Sequence, residues 1–122
     1  MHNPVGWFEI YVQDLPRARA FYEATLGTQL SKLDSPGVEM LAFPMEREST
    51  GASGALVKMP GVQPGSNSVL IYFICDDCAD EAAKAMKAGG RVHKAKTSIG
   101  PYGFIALIVD TEGNMVGLHS MK

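Results

Sequence analysis

The chain has 122 residues, which is the length of one ordinary domain. Hydrophobic residues make up 46% of it and charged residues 20%, a composition that is typical of a folded protein and excludes a disordered one. A formal net charge of -2 gives no general attraction to nucleic-acid backbones or anionic lipid, and no apolar run approaches the roughly 20 residues of a membrane span. We therefore expect a protein without a nucleic-acid or membrane partner. The first residues lack the pattern of a signal peptide, and two cysteines are too few for a disulfide framework, so we expect the protein in the cytoplasm.

The first half of the chain predicts a strand, a helix and three further strands. The first strand covers residues 7–12, Asp14 follows it as a helix N-cap, and Gly27 is the expected helix stop. Between the two, apolar or small residues recur at helical spacing, namely Leu15, Ala18, Phe21, Tyr22, Thr25 and Leu26. The three further strands are predicted around residues 28–33, 38–45 and 53–59.

The second half predicts the same order after a Pro- and Gly-containing linker. A strand at residues 69–75 leads to the N-cap Asp77 and an alanine-rich helix to Ala88, which Gly89 and Gly90 terminate. Strands are expected near residues 91–97, 103–109 and 114–120, the last two joined as a hairpin by the turn at 110–114. The basic alternation in residues 91–96 is typical of a solvated edge strand.

A shift of 63 residues superimposes the two halves. It places Asp14 on Asp77, Ala20 on Ala83, Gly27 on Gly90, Gly37 on Gly100 and Gly54 on Gly117. These positions are a cap, a helix stop, a turn and a strand glycine, where a duplicated backbone needs the same residue, although a chain with 13 glycines can also align some by chance. We predict one α+β domain over residues 1–122, with one module at about 5–60, a linker at about 60–67 and a second module at about 68–121.

The segment from Tyr11 to Tyr22, closing at Leu26-Gly27, closely resembles the opening motif of the vicinal oxygen chelate superfamily, which includes glyoxalase I, bleomycin-resistance proteins and extradiol dioxygenases. The segments 75–77, 88–90 and 110–114 look like the matching motifs of the second module. The resemblance implies an α+β fold of two tandem βαβββ modules that curl around a shared cavity. It also favours a two-fold homodimer, which would cover exposed module edges.

Many enzymes of that superfamily hold a divalent metal with His, Glu or Gln side chains from the first and fourth strands of both modules. Matching the motifs puts these positions at Trp7 and Leu70 on the first strands, and at Gly54 and Gly117 on the fourth. None has a side chain that can ligate a metal, and a shift of one on the least certain strand gives only Ser53 or Ala55. We therefore predict neither a metal nor another cofactor.

Strand alternation predicts which other residues face the cavity. Glu9 and Tyr11 share a face with Trp7, Tyr72 and Ile74 with Leu70, and Met115 and His119 with Gly117. The predicted ligand-binding residues are Trp7, Tyr11, Tyr72 and Met115, and the predicted acid–base candidates are Glu9 and His119. Two alternatives remain open. Glu9 could instead pair with a lysine at a rim, with His119 solvated. The first strand could also have the opposite orientation, with Trp7 packed in the helix layer and Phe8, Ile10 and Val12 lining the cavity.

Cys75 and Cys78 form a C-x-x-C motif between a strand and a helix. Two intervening aspartates oppose thiolate formation, and no second close ligand pair completes a zinc site, so packing is the favoured interpretation over redox or zinc chemistry.

Three functions are compatible with these observations. The first is a metal-independent small-molecule-binding protein with a ligand between the modules. The second is a lyase, isomerase or dioxygenase of the glyoxalase type, which uses unrecognised metal ligands or Glu9 and His119 without metal. The third is an accessory module without a ligand. The missing metal ligands favour the first over the second, and the apolar face favours both over the third.

Overall fold

A computed structural model of the chain describes residues 2–65, 69–111 and 113–122. The predicted linker and the predicted turn at 110–114 extend into residues 66, 67 and 112, which lie outside the described residues. The chain forms two compact units: the first is Trp7–Val69, and the second combines Leu70–Lys122 with the segment that ends at Gly6. Among the described residues, no helix has the length and apolarity needed to cross a membrane.

Each unit contains the predicted series of one strand, one helix and three strands, which confirms the α+β class and the βαβββ order. In the first series the elements are β1 (Val5–Tyr11), α1 (Leu15–Leu26), β2 (Ser31–Ser35), β3 (Val38–Ala42) and β4 (Ser53–Lys58). In the second they are β5 (Val69–Ile74), α2 (Cys78–Lys87), β6 (Arg91–Ser98), β7 (Phe104–Val109) and β8 (Met115–Ser120), with a short 3-10 helix at Gly100–Tyr102.

The strands of the first unit lie in the order β2-β3-β4-β1. β1 pairs in parallel with β4, while β2 with β3 and β3 with β4 are antiparallel. One face packs against α1, where Phe8, Ile10 and Val12 contact the cluster of Leu30, Phe43 and Leu56 together with residues of the helix. On the opposite face Trp7 and Tyr11 pack with Met40, Ala55 and Val57. Trp7 is therefore outside the helix layer, which rules out the alternative orientation of β1.

The strands of the second unit lie in the order β5-β8-β7-β6, with β5 parallel to β8. Its helix covers a core of Cys75, Cys78, Ala82, Ala106 and Leu118. The basic strand β6 ends this order, and His93 on it is exposed, as the sequence predicts for an edge strand.

Aspartate caps explain where both helices begin. The carboxylate of Asp14 accepts from the backbone N–H of Arg17 at 3.0 Å, and the carboxylate of Asp77 accepts from that of Ala79 at 3.0 Å. α1 ends at Gly27, whose φ of 66° is the left-handed conformation that glycine adopts without a steric penalty.

The predicted strand at residues 28–33 begins three residues late because α1 side chains take the hydrogen bonds of Leu30. Its N–H donates to the Glu23 carboxylate at 2.8 Å, and its carbonyl accepts from the Arg19 guanidinium at 2.9 Å. With both backbone groups bonded to the helix, Leu30 does not join a strand ladder.

The prediction that Gly54 lies on the same face of the sheet as Trp7 is wrong. A Cβ on Gly54 would meet the ring and carbonyl of Phe8, on the α1 side, whereas a Cβ on Gly117 would meet the ring of Tyr72. Trp7 pairs with Ser53, so Ser53 and Ala55 share the face of Trp7. The number of residues between paired positions of the first and fourth strands differs by one between the two units. Because a shift of one residue moves a strand side chain to the other face, Gly54 does not share the face that Gly117 has in its own unit.

Candidate functional site

Three side chains of β1 form a hydrogen-bonded group on the face opposite α1. The Glu9 carboxylate accepts from the Tyr11 hydroxyl at 2.6 Å and from the Trp7 indole Nε1–H at 3.3 Å. All three residues are half-buried. The two donors approach from successive positions on the same side of the strand and hold the carboxylate between two aromatic side chains.

The alternation of β1 creates this group. Residues two apart on a strand point to the same face, so the pattern Trp-x-Glu-x-Tyr lines up an indole, a carboxylate and a phenol in one row. The intervening Phe8 and Ile10 pack against the α1 cluster. The neighbouring strands supply an apolar floor of Met40, Ala55 and Val57 beneath the row.

Glu9 is the one charged residue among the strand positions on this face of the first unit, and all of those positions are described. Strand pairing and alternation put the remaining charged strand residues on the α1 side, namely Lys32, Asp34, Glu39 and Lys58. The strands of this unit therefore give the Trp7 face a negative charge at one defined point.

The second unit carries the other predicted site residues. Tyr72 is buried and lies opposite Gly117, where the missing Cβ makes room for its ring. Met115 begins β8 and is half-buried. The His119 Nε2–H donates to the carbonyl of Tyr102 at 2.5 Å, so the 3-10 turn fixes the ring, and in the neutral imidazole Nδ1 is the acceptor.

The structure thus brings Trp7, Glu9 and Tyr11 together in the first unit, and Tyr72 with Gly117 in the second. Glu9 has Trp7 and Tyr11 as hydrogen-bond partners, and His119 is bonded to the 3-10 turn. The pairing of Glu9 with His119 as acid and base stays a prediction.

The family's metal positions do not suit a metal with the side chains present here. Trp7, Leu70 and Gly117 offer no oxygen, nitrogen or sulfur donor suited to a metal, and Ser53, on the corrected register of β4, donates its hydroxyl to the carbonyls of Phe43 and Pro44. Among the described residues, no group of three or more His, Cys, Asp or Glu side chains is arranged to hold a metal ion.

The C-x-x-C motif belongs to the core of the second unit. Both thiols are free and buried. Burial, together with a hydrogen bond to the Glu81 carboxylate, raises the pKa of the Cys75 thiol to about 12. A thiol held protonated in this way is a poor nucleophile and metal ligand, which agrees with the packing interpretation.

Two open depressions of about 290 and 610 Å³ lie where β1 and β4 of the first unit end. Gln13, Glu39 and Lys58 line both, and all three are exposed. The aromatic row of β1 lines neither depression. The hydrogen-bonded row is separate from both depressions, and we take its sheet face as the candidate site.

Sequence reasoning found the members of the row but missed the bonds between them. It expected Glu9 to orient a ligand or to pair with a lysine, and it did not foresee the hydrogen bonds that Glu9 accepts from Tyr11 and Trp7. The spacing Trp-x-Glu-x-Tyr was the available signal, since two donors flank one acceptor on the same face. No sequence signal indicates that the Tyr102 carbonyl binds His119, because that contact depends on the 3-10 turn.

Comparisons with known proteins cover nearly all of the chain. The family model of the Glyoxalase/Bleomycin resistance protein/Dioxygenase superfamily matches residues 5–118. The chain is 30% identical over 107 residues to the protein named "Putative glyoxylase CFP32" of Mycobacterium bovis, a match that covers 88% of this chain. The match spans only 40% of that relative's length.

Solved structures with a similar fold include methylmalonyl-CoA epimerases. The enzyme of Streptomyces coelicolor, in complex with 2-nitronate-propionyl-CoA, superimposes with a TM-score of 0.68 at 21% identity, covering 98% of this chain and 95% of the other. The Mycobacterium tuberculosis enzyme gives a TM-score of 0.68 at 15% identity, covering 98% and 88%. At these identities the likeness establishes the fold alone.

Proposed function

The chain belongs to the Glyoxalase/Bleomycin resistance protein/Dioxygenase superfamily, and on that premise we propose that it binds a small organic molecule on the sheet face of Trp7, Glu9 and Tyr11. The observation that carries this proposal is the pair of hydrogen bonds that fixes the Glu9 carboxylate between two aromatic side chains. Binding sites for small molecules combine apolar and aromatic surface with a few oriented polar groups, and this face has both.

Each part of the face has a defined role in the proposed complex. The rings of Trp7 and Tyr11 supply large rigid contact area, because an aromatic side chain loses little conformational freedom on binding. Met40, Ala55 and Val57 are buried beneath these rings and pack against them. The carboxylate of Glu9 orients the polar group of the ligand.

We propose that this binding requires no metal, since the side chains at the family's metal positions do not suit one. The family includes metal enzymes as well as binding proteins, so family membership alone does not decide the reaction. The aromatic side chains of the face, Trp7 and Tyr11, support the binding proposal.

A glyoxalase-type lyase, isomerase or dioxygenase is the second candidate. The observation that favours it is the oriented carboxylate of Glu9, because a general base has to be held within hydrogen-bond reach of the proton that it removes. The names of the relatives, a glyoxylase and epimerases, describe those proteins and point to substrates that are worth assaying. Turnover that Glu9→Gln abolishes, while ligand binding persists, would establish this candidate.

A ligand screen tests the binding proposal. Small aromatic and apolar compounds should include some that raise the melting temperature of the wild type, because a ligand that binds only the folded state stabilises it. Trp7→Ala should abolish that shift. Phe21→Ala is the matched control, since Phe21 is an aromatic residue of α1 that is 59% exposed and packs edge to face with Tyr22 on the helix side of the unit.

The control variant should keep the shift seen with the wild type. Circular dichroism and urea unfolding of both variants separate a loss of folding from a loss of binding. The proposal fails if the compounds that stabilise the wild type also stabilise folded Trp7→Ala by the same amount.

A further inference from the structure

We propose that His119 determines the specificity of a second binding position, on the sheet face of the second unit that lies opposite α2. Its ligand class is an uncharged molecule with an aliphatic body and one O–H or N–H group, such as a cyclic alcohol. This inference goes beyond the proposed function, because its residues belong to a different unit from Trp7. The fixed proton of His119, the accessibility of its second ring nitrogen and the apolar side chains beside it each support the inference.

The imidazole of His119 is held by a backbone carbonyl. A carbonyl oxygen only accepts hydrogen bonds, so the contact of 2.5 Å between Nε2 and the oxygen of Tyr102 places a ring proton on Nε2. In the neutral ring Nδ1 then has a lone pair and no proton, and it only accepts. Nδ1 therefore binds a ligand that has a donor and gives no hydrogen bond to a ligand that has acceptors alone.

The turn that holds the ring is itself fixed beside β8. The N–H of Ile99 donates to the carbonyl of Gly103 at 2.8 Å, and the N–H of Gly103 donates to the carbonyl of Gly100 at 3.2 Å. A Cβ on Gly103 would lie 2.4 Å from the carbonyl oxygen of Ser120, so the turn approaches β8 as closely as only a glycine allows. The acceptor is thus oriented before a ligand binds, which lowers the entropic cost of binding.

Nδ1 of His119 is accessible from solvent. Among the described residues, the carbonyl of Tyr102 is the single hydrogen-bond partner of this ring. In the same part of the chain, every buried side-chain nitrogen or oxygen atom has a hydrogen-bond partner. Because Nδ1 has none there, it is not one of the buried atoms. A ligand can reach it without displacing a protein group.

Aliphatic side chains flank the imidazole on both neighbouring strands. Ile74 of β5 and Ile105 of β7 are each paired with His119, so the three side chains point to one face. The residues next to them along the strands pack in the α2 core, and this face is therefore the one opposite the helix. Ile74 is 43% exposed, and Ile105 and His119 are half-buried. A ligand that covers these side chains removes apolar surface from water, which favours binding.

The strands around His119 favour an uncharged ligand. β5, β7 and β8, which the structure describes throughout, contain no Asp, Glu, Lys or Arg. The charged strand residues of this unit lie on the edge strand β6, which pairs with β7 and not with β8. An ammonium group would find no carboxylate on the three strands, and a carboxylate would meet the lone pair of Nδ1. Either ion would lose hydration without a counter-charge there.

Cyclohexanol and methoxycyclohexane test this inference, because they share one ring and only the alcohol has a donor. The titrations are followed by NMR of the imidazole nitrogens at about pH 8, where free imidazole is neutral. The chain has three histidines, and His119→Phe assigns the signals of His119. We expect a protonated Nε2 and an unprotonated Nδ1 in the free protein. Cyclohexanol should shift the Nδ1 signal in a saturable way, and methoxycyclohexane should not.

Cyclohexanol should also bind the wild type about three- to tenfold more tightly than methoxycyclohexane, the difference that one neutral hydrogen bond makes. His119→Phe keeps a flat ring and removes the acceptor, so the preference should fall to within about twofold, measured on the backbone amide signals of Ile74 and Ile105. If circular dichroism shows this variant to be unfolded, the Nδ1 titration of the wild type decides.

His93→Phe is the matched control, because His93 is an exposed histidine on β6 of the same unit. This variant should keep the full preference for cyclohexanol. The Nδ1 shift should also persist in Trp7→Ala, since Trp7 lies in the other unit.

A protonated Nδ1 in the free protein, or an Nδ1 signal that cyclohexanol leaves unchanged, would overturn the inference. Equal binding of the two probes by the wild type, an unchanged preference in folded His119→Phe, or a lost preference in His93→Phe would overturn it as well. Each of these results leaves the proposed function standing, because that function is tested separately by the ligand screen with Trp7→Ala.

Discussion

The ring of Tyr72 lies directly over Gly117 on the neighbouring strand, with its Cγ only 2.8 Å from the position that a Cβ on residue 117 would occupy. Gly117→Ala should therefore force the Tyr72 ring out of its position and destabilise the protein by about 1–3 kcal/mol, the usual cost of overpacking. Urea unfolding of the wild type and the variant measures this change. In a Tyr72→Ala background the added methyl group should cost much less, because the ring is no longer there. An equal cost in both backgrounds would contradict the packing of Tyr72 on Gly117.

Gly54 provides the contrasting case, since a methyl group there would meet the backbone carbonyl of Phe8 as well as its ring. Gly54→Ala should remain destabilising by about 1–3 kcal/mol in a Phe8→Ala background, because truncating the side chain does not move the carbonyl. Relief of that cost by Phe8→Ala would show that Gly54 faces only the ring. The same double-mutant cycle thus separates side-chain from backbone contact at the two glycines.

The sequence predicts features set by local chemistry better than those set by register. Asp14 and Asp77 cap the two helices as expected, and the alternation of β1 places Trp7 and Tyr11 opposite the helix. The face of Gly54 could not be predicted, because it depends on a one-residue difference in spacing between the units that the shift of 63 does not reveal. In the candidate site, the alternation Trp-x-Glu-x-Tyr predicts that the three side chains share one face. It does not predict that Trp7 and Tyr11 both donate to Glu9, which is seen only in the three-dimensional structure.

Acid should weaken the attachment of α1 to the start of β2. The N–H of Leu30 and the guanidinium of Arg19 hold the pKa of the Glu23 carboxyl below its ordinary value of 4.5. Because the folded pKa lies below the unfolded one, the stability that this group contributes is present above pH 4.5 and is lost as the pH falls through the folded pKa. Glu23→Gln should therefore reduce the loss of stability between about pH 5 and pH 3, measured by urea unfolding.

Glu48→Gln is the control for this experiment, because Glu48 is an exposed residue of the β3–β4 connection. Its acid dependence should follow that of the wild type. An unchanged acid dependence of Glu23→Gln would mean that Glu23 does not contribute through its charge.

The thiol of Cys75 should react slowly in the folded protein. Its pKa of about 12 leaves very little thiolate at pH 8, and burial limits access of a reagent. A chromogenic disulfide reagent should modify Cys75 rapidly only in denaturant, and Cys78→Ala assigns the signal to Cys75. Rapid modification of Cys75 in the folded Cys78→Ala variant at pH 8 would contradict the packing interpretation and would favour a redox role for the motif.

The wild type should bind no stoichiometric divalent metal at the family's positions. Elemental analysis of protein purified without chelator should find less than one equivalent of Zn, Ni, Fe or Mn, and chelator should leave the melting temperature unchanged. Trp7→His should not create a metal site, because Leu70 and Gly117 still provide no ligand. One tightly bound metal ion per chain, whose removal by chelator lowers the melting temperature, would contradict this prediction.

Fluorescence of Trp7 tests the central claim most directly, since the only indole of the chain lies in the candidate site and donates to Glu9. Titration of the wild type with a compound that stabilises it should give a saturable change in emission. Tyr11→Phe removes the hydroxyl that helps to hold the Glu9 carboxylate, and should weaken that binding by about three- to tenfold. A compound that stabilises the protein without changing the Trp7 emission, and binds Tyr11→Phe as tightly as the wild type, would show that the ligand site lies elsewhere.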